Sequence, residues 1–281
     1  MRQLDQQTIL ITGATDGLGR ALATDLAARG ATLLIHGRDD ARGRETIDEI
    51  RARTGNENLH WLRADLASLD EVRALAEQVT REHERLDALV NNAGIGSSED
   101  GGGRMVSRDG YELRFAVNYL AGFLLTRLLR PLLERSAPAR IVNVSSAGQA
   151  PIDFGDVMLE RNYNGVQAYC QSKLAQVMLT LDLGDELSER GVSATALHPA
   201  TYMPTKMVRA SGVSPVSSIE DGVRATLRLV AGPELDGVSG RYFNGLEEAS
   251  AHPQAYDPDA RRKLRELSER LCGSRLDTLE V

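Results

Sequence analysis

The sequence predicts a single domain of the doubly wound α/β class, spanning residues 1–281 around a mostly parallel, seven-stranded sheet. Three observations carry that expectation. Short runs rich in Val, Ile and Leu alternate with longer helical patterns. Most of those runs lack polar alternation, as strands covered on both faces do. No composition shift, linker or internal repeat divides the 281 residues, a length within reach of one α/β core.

The strand candidates are 8–11, 31–36, 59–63, 86–91, 140–145, 192–198 and 240–244. Helical patterns lie between them. The first, 18–29, carries Leu18, Leu22 and Leu26 and stops near Gly30. The second, 68–84, begins at Ser68 with Glu71 three residues on, the pattern of a capping box. The patterns at 112–134 and 167–190 are the longest. Another starts near Ser217, with Glu220 as the partner of a second box. The last follows Asp257 and Pro258, a cap and a proline suited to the first helical position. Residues 94–103 read as a flexible loop. Two irregular stretches, 147–166 and 200–216, follow strands on the side where open α/β sheets bind ligands, and are expected to be substrate-loop segments.

Composition narrows the function classes. Hydrophobic residues make up 42% and charged residues 26%, which is ordinary globular composition. A net charge of −7 argues against nucleic acid or an anionic membrane as partner. The apolar run Thr8, Ile9, Leu10, Ile11 is too short for a membrane span or a signal-peptide core, so a soluble, unanchored chain is expected. Cys170 and Cys272 give neither metal-ligand spacing nor a disulfide framework. No metal is expected, and a reduced, cytoplasmic setting is.

The first strand runs into Thr12, Gly13, Ala14, Thr15, Asp16, Gly17, Leu18 and Gly19, which open the first helix. Glycines let the backbone turn tightly and let a phosphate approach it, and the helix N-terminus then offers free N–H groups. The spacing GxxxGxG differs from the commoner GxGxxG dinucleotide fingerprint. The end of the second strand should read the adenosine ribose: an acid suits the 2′-hydroxyl of NAD, an arginine the 2′-phosphate of NADP. Here Arg38 is followed by Asp39. Arg38 can offer a bidentate fork, so NADP(H) is the preferred cofactor, with NAD(H) left open by Asp39 and by Asp16.

A free tyrosine has a pKa of about 10, and bringing it to about 7 requires roughly 4 kcal/mol of added phenolate stabilisation. A lysine one helical turn away can supply much of that. Tyr169 and Lys173 have that spacing and open a long apolar helix. Tyr202 and Lys206 repeat it, but Pro204 interrupts a helix there. Tyr163 has Gln167 at the fourth position and lacks an activator.

Taken in order, these residues resemble the short-chain dehydrogenase/reductase family, from Thr8 to about Phe243. The matching elements are Gly13, Gly17 and Gly19; Asp65 and Leu66; Asn91, Asn92, Ala93 and Gly94; Asn118; Ser145 and Ser146; Tyr169 and Lys173; and His198 with Pro199. The resemblance implies a Rossmann-type fold and a hydride transfer between a nicotinamide cofactor and a carbonyl or alcohol. It implies that Gly13, Thr15, Asp16, Gly17, Leu18, Gly19, Asp65, Leu66, Asn91, Ala93, Gly94, Tyr169, Lys173, Pro199 and Thr201 line the cofactor. Asp65 would meet the adenine edge, and Thr201 the carboxamide. Ser146, rather than Ser145, would orient the substrate oxygen. Tyr169 would exchange the proton, and Lys173 would bond the nicotinamide ribose and depress the Tyr169 pKa. Asn118 would hold a water linking Lys173 to solvent. His198 reads as a packed strand-end residue.

Two departures stand out. Ala200 replaces the glycine usual after the proline, and the interval from Ser146 to Tyr169 is longer than is typical. That interval, with the residues around Tyr169 and the Gly37-Arg38-Asp39 strand ending, resembles the retinol-dehydrogenase-like branch, but without the membrane anchor many of its members carry. Ile152, Phe154, Val157, Met158 and Leu159 either wall an apolar substrate pocket or pack under their own loop. The small-molecule partner is therefore a carbonyl or alcohol, with a lipophilic one expected. The resemblance also implies a homodimer or homotetramer through the two long helices. An NADP(H)-binding sensor without turnover is the alternative outside catalysis.

Overall fold

The structure is a computed structural model that describes residues 1–98 and 103–273. A strand points successive side chains to opposite faces, and this sorts the core into two layers. In β1 (Thr8–Ile11), Leu10 faces one layer while Ile9 and Ile11 face the other. The same alternation continues in β2 (Thr32–Gly37), where Leu34 parts from Leu33 and Ile35, and in β4 (Ala88–Asn91), where Leu89 parts from Ala88 and Val90. One layer is closed by α1 (Gly17–Ala28), α2 (Asp40–Thr54) and α7 (Ile219–Ala231). The other is closed by α3 (Leu69–Glu82), α4 (Ala121–Arg135), α5 (Gly165–Leu187) and α8 (Pro258–Cys272).

With β3 (Leu59–Arg63), β5 (Ala139–Val144), β6 (Val192–His198), β7 (Arg241–Asn244) and β8 (Glu247–Glu248), the sheet order is β3-β2-β1-β4-β5-β6-β7-β8. The first seven strands pair in parallel and β8 pairs antiparallel to β7. The chain order reverses between β1 and β4, so the loops that follow these two strands flank the switch point where such sheets bind ligands.

The seven expected strands are present within a residue or two, and the sheet has an eighth, two-residue strand that the expectation omitted. Two helices were also missed. Helix α2 buries only Gly43, Thr46, Ile47 and Ile50, so its apolar stripe is thin; Gly43 is there because a Cβ would lie 2.4 Å from the Trp61 ring. Short α6 (Lys206–Ala210) interrupts the 200–216 segment. The α7 capping box is formed by Ser218 and Asp221, one residue beyond the expected pair. Ser68 caps α3 as expected, but the Glu71 carboxylate accepts from Asp65 N at 2.8 Å instead of closing a box. The 112–134 pattern divides into a π-helical turn at Phe115–Leu120 and then α4. Part of the 94–103 loop lies outside the described residues.

Helix α8 lies on α5, with Arg261 bonding Asp182 at 2.6 Å, and most of α5 is buried as a result. No helix among the described residues is long and apolar enough to cross a membrane.

Candidate active site

Neutral hydrogen bonds brace the glycine turn. Thr12 Oγ1 accepts from Asn92 N and Ala93 N, both at 3.0 Å, joining the loop after β1 to the loop after β4. Asn92 Nδ2 donates to Thr12 O and Gly13 O at 2.8 and 3.1 Å. His36 Nδ1 accepts from Gly13 N at 3.2 Å, and its Nε2 lies 3.1 Å from Ala64 O, which fixes the neutral tautomer that donates from Nε2. Burial pulls the His36 pKa down to about 4. Gly13 has φ +65°, and a Cβ there would lie 2.8 Å from Ala93 Cα; a Cβ at Gly19 would lie 2.4 Å from Gly13 O. The crowding that selects glycine thus comes from the protein's own loops. Gly17 and Leu18 begin α1 beneath the turn.

At the end of β2, Arg38 is exposed and makes no hydrogen bond or ion pair among the described residues. Asp39 caps α2 by accepting from Arg42 N at 3.0 Å, and Asp16 caps α1 by accepting from Gly17 N at 2.7 Å. Burial disfavours the Asp16 carboxylate, but bonds from Lys206 and Gly17 and the charges of Lys206 and Arg42 outweigh it, so its pKa is lowered. Thr15 presents its carbonyl to Arg42. Asp65 makes a local turn, accepting from Ala67 N at 3.0 Å, and lies 3.6 Å from Arg108; Leu66 beside it is buried. The Asn91 side chain faces inward, donating to Thr126 and Asn143, so of this residue only the backbone is left for a ligand in the cleft.

The catalytic corner is built by β5, α5 and the π-helical turn. Ser145 is buried and its Oγ donates to Lys173 O at 2.7 Å, which leaves Ser146 as the serine of the cleft. Ser146 lies beside Tyr169: a Cβ at Gly148 would come within 3.5 Å of Ser146 Oγ and 3.9 Å of the Tyr169 ring. Lys173 Nζ sits 5.7 Å from the Tyr169 ring centroid, so the pair does face together. Lys173 itself is buried and donates to Val144 O at 2.9 Å and Gln176 Oε1 at 3.0 Å. Burial lowers its pKa to about 7. Burial also raises the Tyr169 pKa, and the neighbouring Ser146 hydroxyl, which pulls the other way, does not offset it.

Asn118 lies in the π-helical turn, a distortion that recurs at functional sites. Its Oδ1 accepts from Ile95 N at 2.8 Å, and its Nδ2 donates to Ile95 O and Ser172 Oγ at 3.1 and 3.0 Å. It thereby clamps the loop after β4 onto α5, next to Lys173. A Cβ at Gly94 would lie 3.3 Å from Asn118 Oδ1 and 3.5 Å from Lys173 Nζ, so this loop, with Ala93, passes directly over the pair.

Beyond β6, Pro199 is buried and Ala200 packs against the core. His198 is buried and its Nε2 lies 3.0 Å from Thr201 Oγ1, as suits a packed histidine. Tyr202 has φ +46° and Lys206 binds Asp16 at 3.1 Å, so the second tyrosine–lysine spacing does not form a pair. In the other segment, Ile152, Val157 and Leu159 are buried, which favours packing under the loop; only Phe154 and Met158 are partly exposed. Tyr163 is bonded to Arg114 at 2.5 Å and Glu112 at 3.1 Å, and burial followed by the Glu112 charge pushes its pKa up to about 12. Tyr202 and Leu159 are the only non-glycine residues with positive φ among those described, one in each segment beside the site. His36, Asn92, Gln176 and Arg42 were not anticipated as site residues. The partners of His36, Asn92 and Arg42 lie far away in sequence, and Gln176 meets Lys173 three residues before it on α5.

The family model for short chain dehydrogenase matches residues 7–213. Human retinol dehydrogenase 13 is 37% identical over 285 residues, covering 95% of this chain and 85% of that one. Among solved structures, a protein of Mycobacterium paratuberculosis superposes with a TM-score of 0.73 at 29% identity, covering 95% of this chain and 93% of its own. The Pseudomonas aeruginosa RhlG/NADP active-site complex superposes with a TM-score of 0.70 at 26% identity, covering 86% of this chain and 97% of its own.

Proposed function

The chain belongs to the short-chain dehydrogenase family, and from that premise we propose that it is an NADP(H)-preferring oxidoreductase acting on a lipophilic carbonyl or its alcohol. The observation that carries this reading is Lys173 Nζ held 5.7 Å from the Tyr169 ring, with Ser146 beside that ring and the loop that follows β4 against Lys173.

The residues fit a phosphorylated dinucleotide by the chemistry of their donors. Arg38 is unpartnered among the described residues, and Arg42 and Lys206 gather beside the start of α1. Asp39 is already engaged as a helix cap, which weakens the case for an acid on the ribose. Gly13, Thr15, Asp16, Gly17, Leu18, Gly19 and Arg38 would hold the adenosine and phosphate end. Asp65, Leu66, Asn91, Ala93 and Gly94 would line the middle, with Tyr169, Lys173, Pro199 and Thr201 at the nicotinamide. The nicotinamide, when bound, supplies or takes the hydride.

The protein does the rest. Ser146 and Tyr169 hydrogen-bond the substrate oxygen, where negative charge develops in reduction, and Tyr169 passes its proton to that oxygen. At neutral pH Tyr169 is a phenol, the form that donates in carbonyl reduction. Alcohol oxidation follows the same path reversed and requires the phenolate. Asn118 clamps the loop over Lys173, and Lys173 holds its ammonium one turn below the phenol. A lipophilic substrate is supported by the name of the retinol dehydrogenase relative and by exposed Tyr202, Val213 and Val216 on the 200–216 segment. A cytoplasmic setting accords with two free cysteines. A homodimer or homotetramer through the two long helices belongs to the same reading.

A carbonyl panel followed at the NADPH absorbance band tests the reading. Turnover of apolar aldehydes or ketones, faster with NADPH than NADH and slowing as pH rises through the alkaline range, is expected. Turnover confined to small polar carbonyls would remove the lipophilic substrate, and binding without turnover of any carbonyl would remove the enzyme.

A further inference from the structure

The long interval between Ser146 and Tyr169 sets a physical problem. Ser146 must keep one orientation at the head of a segment that has no helix or strand of its own before α5. On its N-terminal side the backbone is fixed, because Ser145 N donates to Leu197 O at 2.8 Å and Ser145 Oγ to Lys173 O at 2.7 Å. On its C-terminal side the Ser146 carbonyl receives two donors, Tyr242 Oη at 3.1 Å and Gln149 Nε2 at 2.9 Å. One donor already satisfies a carbonyl. A second, on the other lone pair, also fixes the plane of the peptide that follows. Ser146 Oγ accepts from Gly148 N at 3.0 Å, which leaves its own hydrogen to give to a substrate oxygen.

These donors depend on residues far along the chain. Tyr242 is buried on β7, and burial pushes its pKa up to about 12, so its hydroxyl keeps its proton. Gln149 is held by residues 249–256, where His252 N donates to Gln149 Oε1 at 2.8 Å. The same segment grips the loop once more. Gln254 Oε1 accepts from Ile152 N at 2.7 Å and Gln254 Nε2 donates to Ile152 O at 3.1 Å, so one amide side chain takes the part of a neighbouring strand. Ala251 and Ala255 seat the segment on the core that also holds Ile152 and Val157.

We propose that Tyr242 and Gln149 are positioning residues for Ser146, and that residues 249–256 are the anchor that keeps Gln149 in place. Neither residue needs to touch the reacting atoms, since both act through the serine. This rests on the reading of Ser146 as the hydroxyl that orients the substrate oxygen. A hydrogen bond weakens steeply with poor alignment, and a displacement of about 1 Å at an aligned group costs up to about 100-fold in rate.

The experiment compares decanal reduction by NADPH in wild type, Tyr242→Phe, Gln149→Leu and Ser146→Ala, and in Tyr242→Phe and Gln149→Leu each combined with Ser146→Ala. NADPH affinity is read from the fluorescence of Trp61, the single tryptophan. In the proteins that keep Ser146, exchange of the Gly148 amide, which is bonded to Ser146 Oγ, is read by NMR without substrate. Tyr242→Phe and Gln149→Leu are each expected to lower kcat about 10-fold, to leave NADPH affinity within about 2-fold and to speed Gly148 exchange about 5-fold. Once Ser146 is alanine, neither is expected to lower kcat more than about 2-fold further, because no hydroxyl is left to aim.

The same loss with and without Ser146 would make the two residues general supports of the fold, and unchanged kcat in the presence of Ser146 would show that the serine keeps its aim without them. Either result overturns the proposal. Ser146→Ala with the turnover of wild type would remove the serine from the reaction, and this proposal with it. A wild type that leaves decanal unreduced would count against the lipophilic substrate, and Gly148 exchange then decides: faster exchange in both variants supports the proposal, and unchanged exchange overturns it.

Discussion

The two ends of the cleft are stabilised in opposite ways. Around the glycine turn, Thr12, His36 and Asn92 supply neutral donors and acceptors, and the one buried ring that could carry charge is kept neutral. Around Tyr169, a lysine is buried with neutral oxygens as its hydrogen-bond acceptors and no carboxylate paired to it among the described residues. The first arrangement is a rigid platform that loses nothing by being satisfied. The second holds a group whose charged form the fold disfavours, and such groups are concentrated where chemistry is done. Cofactor shape is set by backbone and neutral bonds, and reactivity by an electrostatic penalty that the rest of the fold sustains.

Lys173 gives the largest separation between the two ends. Replacing it with Met is expected to reduce turnover at least about 1,000-fold, since the ammonium below the phenol is lost. The stability effect has a definite sign. A lysine with a folded pKa of about 7 and an unfolded one near 10.5 binds more protons unfolded across that interval, so wild type loses stability as pH falls from 10.5 to 7. The loss is on the order of a few kcal/mol. Lys173→Met lacks it. Thermal midpoints should show the variant gaining on wild type as pH falls from 10 to 7, then a constant difference. A difference that does not change with pH would mean that Lys173 is not held against its charge.

The platform end breaks by sterics instead. Gly19→Ala drives a Cβ into Gly13 O and the Asn92 amide, and is expected to cost about 1–3 kcal/mol and to weaken both NADPH and NADH. Unchanged denaturant midpoints with normal binding would show that the turn is softer than its contacts imply.

The smallest expected effect belongs to His36. His36→Phe strands Gly13 N and is expected to cost about 1–2 kcal/mol at pH 7. Neutral His36 contributes stability above about pH 6.5 that is lost as pH falls toward its folded pKa of about 4. The gap between wild type and variant in urea midpoint should therefore narrow from pH 7 to pH 4.5. A gap that widens in acid would contradict the neutral, braced histidine.

Much of this was legible in the sequence because it is local or periodic. Strand positions followed from apolar runs such as Ile9, Leu10 and Ile11, and the facing of Tyr169 and Lys173 from one helical turn. What escaped was non-local or weakly patterned. Helix α2 carries two buried isoleucines among charges. The role of Tyr163 depended on a buried Glu112 and Arg114. The same long-range contacts turned the apolar residues of 147–166 mostly inward, and Lys206 onto Asp16 instead of Tyr202.

The central claim is that Tyr169 moves the proton to and from the substrate oxygen, a role separable from holding the cofactor. Tyr169→Phe, compared with wild type in one preparation for NADPH affinity by Trp61 fluorescence and for carbonyl reduction, tests it most directly. The account predicts affinity within about 3-fold of wild type and turnover lowered at least about 1,000-fold, the scale of a lost general acid. Turnover that survives the loss of the hydroxyl would contradict it.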